Sequence, residues 1–327
     1  MKKKEYTVVI RTLGTSGSKY QQMLDSLMSQ TIKPYQILVY IPYGYDIPKE
    51  TVGVEKYIRS EKGMVTQRSL PFEEVETDIV LFSDDDMYYP HDFAEKLLGY
   101  MEAHSDVDSI VPNIYDRSNM TILQKILLLL YSSSSPRKDD GWALKIKKNA
   151  GFSYNVNPTS NFLPTQSGPG GCIFCKLSSY RKIHFEDERW LEQFKFASYE
   201  DQLFHYKMNI MGLKVVLAYK TGIIHLDARA TKRPDISQKM YFKKKLLFVL
   251  WYRSLYKLKR NSNIDKFLLC LAFLVRAFVG LLSLLADTVR FRKINYLWDY
   301  FKGYYDGYRY VHSDEYKRIP SFDAYCN

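Results

Sequence analysis

The chain has few cysteines, and we do not expect its basic N-terminal stretch to be a secretory signal. Its four cysteines among 327 residues are Cys172, Cys175, Cys270 and Cys326, which are too few and too scattered for a disulfide framework. Cys172 and Cys175 form a C-x-x-C pair, but no Cys or His pair follows at zinc-ligand spacing. We therefore expect structural cysteines in an apolar strand and a reducing environment. The apolar stretch after the basic N-terminus is short and is typical of a strand, not of a signal peptide.

Negative charge is scarce only in the last third of the chain. The net charge is +11, and residues 228–327 carry 20 Lys and Arg against 8 Asp and Glu, whereas residues 1–227 carry 27 against 28. A cationic surface of this kind suits anionic lipid or nucleic acid. At 46% hydrophobic and 25% charged residues, the chain can bury one large core or form a catalytic domain with an appendage.

Predicted strands alternate with predicted helices through the first half of the chain. Thr15 to Ser18 offer N-cap residues for the first helix. The predicted strands are 6–11, 36–41, 55–58, 78–83 and 108–114, and the predicted helices are 19–30, 63–75 and 91–104. This alternation predicts a mostly parallel, doubly wound sheet. In such sheets ligands bind beyond the carboxyl ends of the strands.

The pattern loosens between residues 116 and 165. An apolar helix over 121–131 is followed there by serines, a proline and a basic, aromatic stretch. We interpret this region as an insertion. Order resumes with the strand in GPGGCIFCK, a predicted helix over 197–212, and strands over 214–219 and 222–227.

Three consecutive carboxylates, Asp84, Asp85 and Asp86, follow a buried-type strand. Taken alone, such a triplet is a polar turn that caps the next helix. Asp84 and Asp86 lie two residues apart, however, so they can converge on one hard cation, which prefers carboxylate oxygens. Mg²⁺ or Mn²⁺ held by one or two carboxylates completes its shell with water and substrate phosphates. The triplet therefore predicts a cation site with an anionic diphosphate.

The order VVIRT, QILVYI, DIVLFSDDDMYYPHDF, GGCIFCK, YED and GIIH resembles the family 2 glycosyltransferases, of bacterial polysaccharide type, over residues 6–229. The resemblance implies the α/β fold called GT-A: a Rossmann-like, mostly parallel sheet flanked by helices. It implies a catalytic domain over residues 1–230 with an insertion at 116–165. It also implies that Asp84 and Asp86 hold Mn²⁺ or Mg²⁺ and help to seat a nucleotide sugar, with Asp85 beside them.

The resemblance assigns roles to further residues. Asp201 aligns with the family's catalytic base, and Glu200 would orient that base or bind the acceptor. By the residues alone, acids in the first turn of a helix simply favour its dipole. His225 would reach the metal or the diphosphate, and Thr12 and Arg68 would lie near the nucleotide. Without the resemblance, His225 is interpreted as a structural histidine and Arg68 as a surface arginine.

One departure from the family leaves the nucleotide undefined. The family's acidic pair after the second strand is replaced by Ile41 and Pro42. Asp46 is one candidate substitute, and stacking of Tyr43 or Tyr45 on the base is another. The sequence does not choose between them.

The last third, residues 231–327, is predicted to be a basic, apolar, helical membrane-associating region. Residues 266–286 are long enough to span a bilayer, but Arg276 at their centre costs about 2.5 to 3.5 kcal/mol there. Arg276, Gly280, Ser283 and Asp287 form a narrow stripe, and basic clusters flank both ends. These features favour a helix lying in an anionic leaflet. A helix packed on the catalytic domain and a true span remain alternatives.

The sequence thus predicts a metal-dependent, inverting glycosyltransferase. It would move a sugar from a nucleotide-sugar donor to a glycan acceptor, lipid-linked by the resemblance, in cell-surface polysaccharide synthesis at the cytoplasmic face of the membrane. A basic nucleic-acid- or membrane-binding protein without catalysis is one alternative. We expect no nucleic-acid partner, because the basic residues interleave with apolar runs. A GT-A-like nucleotidyltransferase is another, although no G-x-G-x-x-G follows the first strand. The oligomeric state stays open.

Overall fold

The structure is a computed structural model that describes residues 5–114, 120–147, 151–194, 200–226, 236–257, 262–291 and 295–325. Its strands are β1 Thr7–Arg11, β2 Gln36–Pro42, β3 Glu55–Ser60, β4 Ile79–Asp84, β5 Met87–Tyr88, β6 Ser109–Pro112, β7 Ser135–Arg137, β8 Leu144–Ile146, β9 Phe152–Asn155, β10 Phe162–Pro164, β11 Cys172–Lys176, β12 Val215–Ala218 and β13 Ile224–His225. Its α-helices are α1 Ser18–Met28, α2 Met64–Arg68, α3 Phe93–Ala103, α4 Ile122–Ser132, α5 Leu177–Arg181, α6 Glu200–Ile210, α7 Ile236–Lys257, α8 Asn263–Phe291, α9 Asn295–Val311 and α10 Asp314–Lys317. Two 3₁₀ helices cover Phe185–Phe194 and Phe322–Tyr325.

The chain divides into two compact units. Unit 1 comprises Met1–Asp116, Thr159–Glu186 and Glu200–Lys232, and unit 2 comprises Arg117–Pro158, Asp187–Tyr199 and Arg233–Asn327. The predicted boundaries at residues 116 and 230 fall outside the described residues.

Unit 1 is built on an eight-stranded sheet with the order β10-β12-β6-β11-β4-β1-β2-β3. The neighbours β4-β1, β1-β2, β2-β3 and β12-β6 are parallel, whereas β11 is antiparallel to both β4 and β6. Strands β1, β2 and β4 are almost wholly buried, as expected for central strands covered on both faces. The predicted α/β, GT-A-like, mostly parallel architecture is confirmed.

Strand β11 explains the cysteine pair. Cys172 and Cys175 are buried in this strand with free thiols, and burial raises the pKa of both thiols. The prediction of structural cysteines is confirmed for this pair. Cys326 lies outside the described residues.

Two helical predictions differ from the structure. The helix predicted over 63–75 ends at Arg68, because Pro71 disfavours helical geometry at the residue before it. The start of α1 uses Gly17 as N-cap at φ 55°, without a side-chain cap. The N-cap thus lies within the predicted stretch Thr15 to Ser18, but it is the glycine, and no hydroxyl side chain caps the helix.

A two-stranded ribbon not predicted from the sequence lies next to the triplet. Strands β5 and β13 are antiparallel, and His225 is paired with Met87. The amide of Leu226 also donates to the Asp86 carbonyl at 2.7 Å. Asp86 and Leu226, which are 140 positions apart in the chain, are thereby fixed beside each other.

Unit 2 is mainly helical. A Thr121/Gln124 capping box begins α4, and a small sheet of order β7-β9-β8 follows it. Arg253 of α7 forms a buried 2.6 Å ion pair with Glu188. Helices α7 and α9 approach closely at Gly303, where a Cβ would lie 2.5 Å from the Tyr241 carbonyl oxygen.

Helix α8 includes one stretch, Asn263–Ala286, that is long and apolar enough to cross a membrane. An 18-residue window within it has a mean hydropathy of 2.5, and 11% of that window is buried. The predicted apolar helix over 266–286 is thus present within a longer helix. Of its predicted polar stripe, the side chain of Asp287 lies outside the described residues.

The close contact of α7 and α9 predicts a stability effect. We expect Gly303→Ala to lower the free energy of unfolding by about 1 to 3 kcal/mol, because the new methyl group would overpack against backbone. Gly99→Ala in α3 is the control, since its Cβ would meet nothing within 4 Å and should stabilise by about 0.5 to 1 kcal/mol. Thermal melting followed by circular dichroism measures both. Equal melting temperatures for Gly303→Ala and wild type would contradict the packing.

Candidate active site

The first carboxylate of the triplet is held by an arginine from the neighbouring strand. Asp84 ends β4, and Arg11 ends β1 directly beside it in the parallel register. Arg11 Nη2 donates to Asp84 Oδ1 at 3.3 Å. The Arg11 side chain is 7% exposed and that of Asp84 is 39% exposed. Asp84 is therefore anchored on one side and open on the other.

The second and third carboxylates have different partners. Thr12 Oγ1 donates to Asp85 Oδ2 and accepts from the Gly14 amide at 2.8 Å. Burial raises the pKa of Asp85, although hydrogen bonds from Thr12 and Ser16 oppose this. Asp85 therefore organises the loop after β1.

Asp86 pairs with the predicted histidine. His225 Nε2 lies 3.1 Å from Asp86 Oδ1, with side-chain exposures of 39% and 9%. The pairing of β5 with β13 creates this contact. The structure thus brings Asp86 and His225 together, as a shared ligand role requires.

The later acidic pair is coupled to an arginine. Glu200 and Asp201 lie in the first turn of α6. Arg68, the last residue of α2, places Nη2 3.6 Å from Glu200 Oε1, and its Nη1 donates to the Gly170 carbonyl at 3.3 Å. The Arg68 side chain is 5% exposed. Its alternative interpretation as a surface arginine is wrong.

A pair of glycines joins the two acidic sites. A Cβ on Gly170 would lie 2.7 Å from Asp201 Cβ and 3.1 Å from Arg68 Nη2. A Cβ on Gly171 would lie 3.3 Å from Asp84 Oδ2, and the Asp84 amide donates to the Gly171 carbonyl at 2.9 Å. Adjacent glycines therefore contact Asp84 and Asp201. Side chains at these positions would force the two carboxylates apart.

We call Arg11, Arg68, Asp84, Glu200 and Asp201 the charged cluster. Burial raises the pKa of Glu200, and the negative charges of Asp201 and Asp84 add to this while Arg68 opposes it. Burial also raises the pKa of Asp201 against the opposing charge of Arg68. Burial and the charge of Arg68 lower the pKa of Arg11 to about 10. Residues from both acidic segments thus act on one another electrostatically.

Arg11, Gly170 and Gly171 were not among the predicted site residues, and neither were Tyr180 and His205. Tyr180 donates to the Arg68 carbonyl at 2.6 Å. His205 is fully buried one turn after Asp201, and burial lowers its pKa to about 3, so its imidazole is neutral at pH 7. Two sequence signals could have found some of these residues. One is an arginine at the end of an apolar strand, Arg11, and the other is a glycine pair directly before a strand, Gly170 and Gly171.

The region after β2 carries aromatic and basic residues. Tyr43 is 63% exposed, whereas Lys62 donates to the Tyr45 hydroxyl and lies 4.8 Å from its ring centroid. Arg59 Nη1 donates to the Tyr45 carbonyl at 2.5 Å. Asp46 packs its carbonyl against Gly14, where a Cβ would lie 2.5 Å from that oxygen. Tyr43 is therefore the more accessible of the two tyrosines for stacking.

Asp84, Asp86 and His225 are the side chains that the resemblance assigns to Mn²⁺ or Mg²⁺. Among the residues that the structure describes, no group of three or more His, Cys, Asp or Glu side chains could hold a metal ion. Mg²⁺ and Mn²⁺ need only one or two protein carboxylates when phosphates and water complete the shell. Asp84 alone, or Asp86 together with His225, therefore fits a cation whose remaining ligands are water and a substrate diphosphate. They do not fit a closed, all-protein site.

Comparison with protein families gives a match at the centre of this site. The family described as glycosyl transferase family 2 matches residues 45–157. Over this segment, which is about a third of its length, the chain is similar to that family. The matched segment contains Asp84, Asp85 and Asp86 and ends before Glu200 and Asp201.

A comparison with curated proteins gives no match. One solved structure that matches is titled "Crystal structure of S. aureus TarS 1-349 in complex with UDP", with 14% identity and a TM-score of 0.39. The alignment covers 75% of this chain and 65% of that chain. The chain therefore spans less than two thirds of this neighbour, and so low a likeness supports no conclusion about function.

The charged cluster predicts a large effect of one substitution. Arg68→Gln would leave Glu200 and Asp201 without their main counter-charge, and we expect a loss of about 3 to 5 kcal/mol in the free energy of unfolding. Arg59→Gln is the matched control, because Arg59 is exposed and bonds only carbonyl groups; its loss should stay below about 1 kcal/mol. Urea unfolding at pH 7 gives both values. Equal urea midpoints for Arg68→Gln and Arg59→Gln would contradict the role of Arg68 as the counter-charge in the charged cluster.

Proposed function

We propose that the chain is a metal-dependent, inverting glycosyltransferase that uses a nucleotide-sugar donor. The observation that carries this proposal is the contact of Gly170 with Asp201 and of Gly171 with Asp84. Donor binding and proton removal need separate acidic groups close together. The glycine pair supports that arrangement.

Asp201 acts as the general base. It accepts the proton of the acceptor hydroxyl while that oxygen forms a bond to the anomeric carbon. The bond from the anomeric carbon to the diphosphate oxygen breaks, and a nucleoside diphosphate leaves with the electron pair. The raised pKa of Asp201 suits this role, because a base works best when its pKa approaches the operating pH.

Glu200 and Arg68 position the base. Arg68 contacts Glu200 and the Gly170 carbonyl, so it fixes both the start of α6 and the glycine pair. His205, neutral and buried one turn after Asp201, adds no charge to this helix. Thr12 and Asp85 hold the loop after β1 on the nucleotide side.

Asp84, Asp86 and His225 would hold Mn²⁺ or Mg²⁺ together with the donor diphosphate. A bound cation supplies charge stabilisation for the departing diphosphate. Arg11 keeps Asp84 oriented at the carboxyl end of β4. The carboxylate retains an exposed side for ligand.

The acceptor is proposed to be a lipid-linked glycan of cell-surface polysaccharide synthesis, with the protein at the cytoplasmic face of the membrane. This part is supported by the exposed apolar α8 and by the basic excess in residues 228–327. Both features suit an anionic lipid surface. A water-soluble donor and a membrane-bound acceptor would both reach the protein at this surface.

The base role predicts a rate effect and a pH effect. Asp201→Asn should lower transfer about 10²- to 10⁴-fold and leave donor binding intact, measured by nucleoside diphosphate release and by calorimetry.

Because the pKa of Asp201 is raised above 3.8, the wild-type rate should rise with pH through that raised pKa. The free energy of unfolding should fall over the same window, since the native state binds more protons there than the unfolded chain.

The exposed Asp92, which pairs with Lys96 at 2.7 Å, provides the control. Asp92→Asn should transfer sugar at the wild-type rate. Near-normal turnover of Asp201→Asn would remove that residue from the base role. Release of inorganic pyrophosphate in place of nucleoside diphosphate would favour the nucleotidyltransferase alternative.

The cation role predicts a dependence of donor binding on metal. A nucleotide sugar should raise the melting temperature with Mn²⁺ present and much less with EDTA, because ligand binding stabilises only the folded state. Asp86→Ala should lose most of this metal-dependent shift, and Asp92→Ala should keep it. A full shift for Asp86→Ala would contradict the assignment of Asp86 to the cation.

A further inference from the structure

Helix α8 presents an apolar face to solvent along its whole length. Ten large apolar side chains on this face are at least 37% exposed. They are Ile264, Phe267, Leu268, Leu271, Leu274, Val275, Phe278, Leu282, Leu285 and Val289. Their spacing of three and four residues places them on one side of the helix. Such a stripe is about 37 Å long at 1.5 Å per residue.

The opposite side of α8 packs against protein. Phe273 stacks on Trp251 of α7 at a centroid distance of 4.5 Å. Tyr300 of α9 donates to the Ala277 carbonyl, and Leu284 packs with Tyr296 and Tyr300. These contacts run from the middle of α8 towards its C-terminal part. The helix is therefore two-sided, with protein on one side and an open apolar face on the other.

The side of α8 that packs against protein lies next to charged residues of α7, which are costly to bury in lipid. Helix α7 contains Lys243, Lys244 and Lys245, and Lys244 Nζ lies 3.1 Å from where a Cβ on Gly280 would be. Burial lowers the pKa of Lys244 to about 8. Charged residues at the bilayer centre cost about 2.5 to 3.5 kcal/mol each. A bilayer crossed by α8 would have to enclose α7 as well.

Helix α4 adds a second apolar surface to the same unit. Its exposed side chains include Ile122, Leu123, Ile126, Leu127 and Leu129, at 42% to 78% exposure. None of its described side chains is buried. At 11 residues it is too short to cross a hydrocarbon core of about 30 Å.

A hydrogen bond joins α4 to the middle of α8. Ser133, the C-cap of α4 at φ 52°, accepts at Oγ from Arg276 Nε at 2.9 Å. Arg276 is the one charged residue between positions 267 and 286. It is turned towards α4 and away from the exposed face. The two helices are therefore neighbours, and the central charge is satisfied between them.

We propose that α4 and α8 form one apolar face that inserts into the interfacial layer of an anionic bilayer, with α8 lying along the membrane and not across it. The proposal deepens the membrane location given under the proposed function. It does not depend on the transfer reaction.

Lipid fits this face better than a protein partner does. The exposed stripe of α8 is apolar from Ile264 to Val289, and it is longer than the scattered apolar groups of ordinary surfaces. The surrounding third of the chain carries 20 basic against 8 acidic residues, which complements anionic headgroups. Two copies of this chain meeting through the same face would bring the like charges together.

Vesicle binding tests the composition of the face. The full chain is sedimented with phosphatidylcholine vesicles, with and without phosphatidylglycerol, and compared with two double variants. We expect Leu274→Glu/Phe278→Glu and Ile122→Glu/Ile126→Glu each to weaken binding by at least about tenfold, or about 1.4 kcal/mol. The control Ile47→Glu/Val54→Glu, on exposed apolar residues of unit 1, should bind like wild type. Circular dichroism confirms that each variant is folded.

Wild-type binding by the α4 variant would remove α4 from the face and overturn the proposal. Absence of vesicle binding by wild type, with a dimer that the α8 substitutions dissociate, would overturn it in favour of a second copy.

Spin labels test the orientation of α8. Phe267, Phe278 and Val289 are replaced singly by labelled cysteine, with Cys270→Ser and Cys326→Ser in the background. Labels 22 residues apart span about 33 Å of helix. We expect equal membrane depths at all three positions. A label at 278 much deeper than those at 267 and 289 would show a span. That result overturns the in-plane proposal and leaves the membrane location and the transferase activity standing.

Discussion

Buried charge at the carboxyl ends of the central strands is the constraint on which the candidate site depends. Arg11 and Arg68 are almost fully buried, and each is tolerated only because carboxylates from other segments surround it. Removing one partner of a buried pair costs about 3 to 5 kcal/mol. The charges therefore hold β1, α2, β4 and α6 in one arrangement. Burial raises the pKa of both Glu200 and Asp201, and the positive charge of Arg68 opposes this rise.

The three consecutive carboxylates are tolerated because they do not share an environment. Asp84 turns to Arg11, Asp85 to Thr12 and Asp86 to His225. Each of these partners comes from a different place in the chain. A polar turn that merely capped α3 would need none of them, and the N-cap Asp92 makes no side-chain cap bond in that helix.

Sequence reasoning succeeded where the signal was local. Apolar runs and turn residues predicted β1, β2, β4 and the sheet edge that holds the triplet, and the resemblance selected Glu200 and Asp201. It failed where long-range packing decides. The two-residue strand β5 has no periodicity to detect, and its pairing with β13, which lies within the strand predicted over 222–227, was not predicted. The end of α2 depends on Pro71, two residues beyond Ser69. Gly170 and Gly171 matter only because Asp201 and Asp84 approach them. From the sequence alone, Arg11 is an ordinary cation at the end of a strand, and only the structure shows that it is buried.

Arg276 shows the same difference between sequence and structure in unit 2. From the sequence, an arginine in the centre of an apolar helix argues against a transmembrane span, since it would cost about 2.5 to 3.5 kcal/mol in the core of a bilayer. In the structure its guanidinium donates to Ser133 on the side turned to α4, so the charge does not lie on the exposed face. The cost therefore applies to a helix surrounded by lipid and not to one that contacts lipid on one side. An arginine that forbids a span is compatible with a helix lying in the interface.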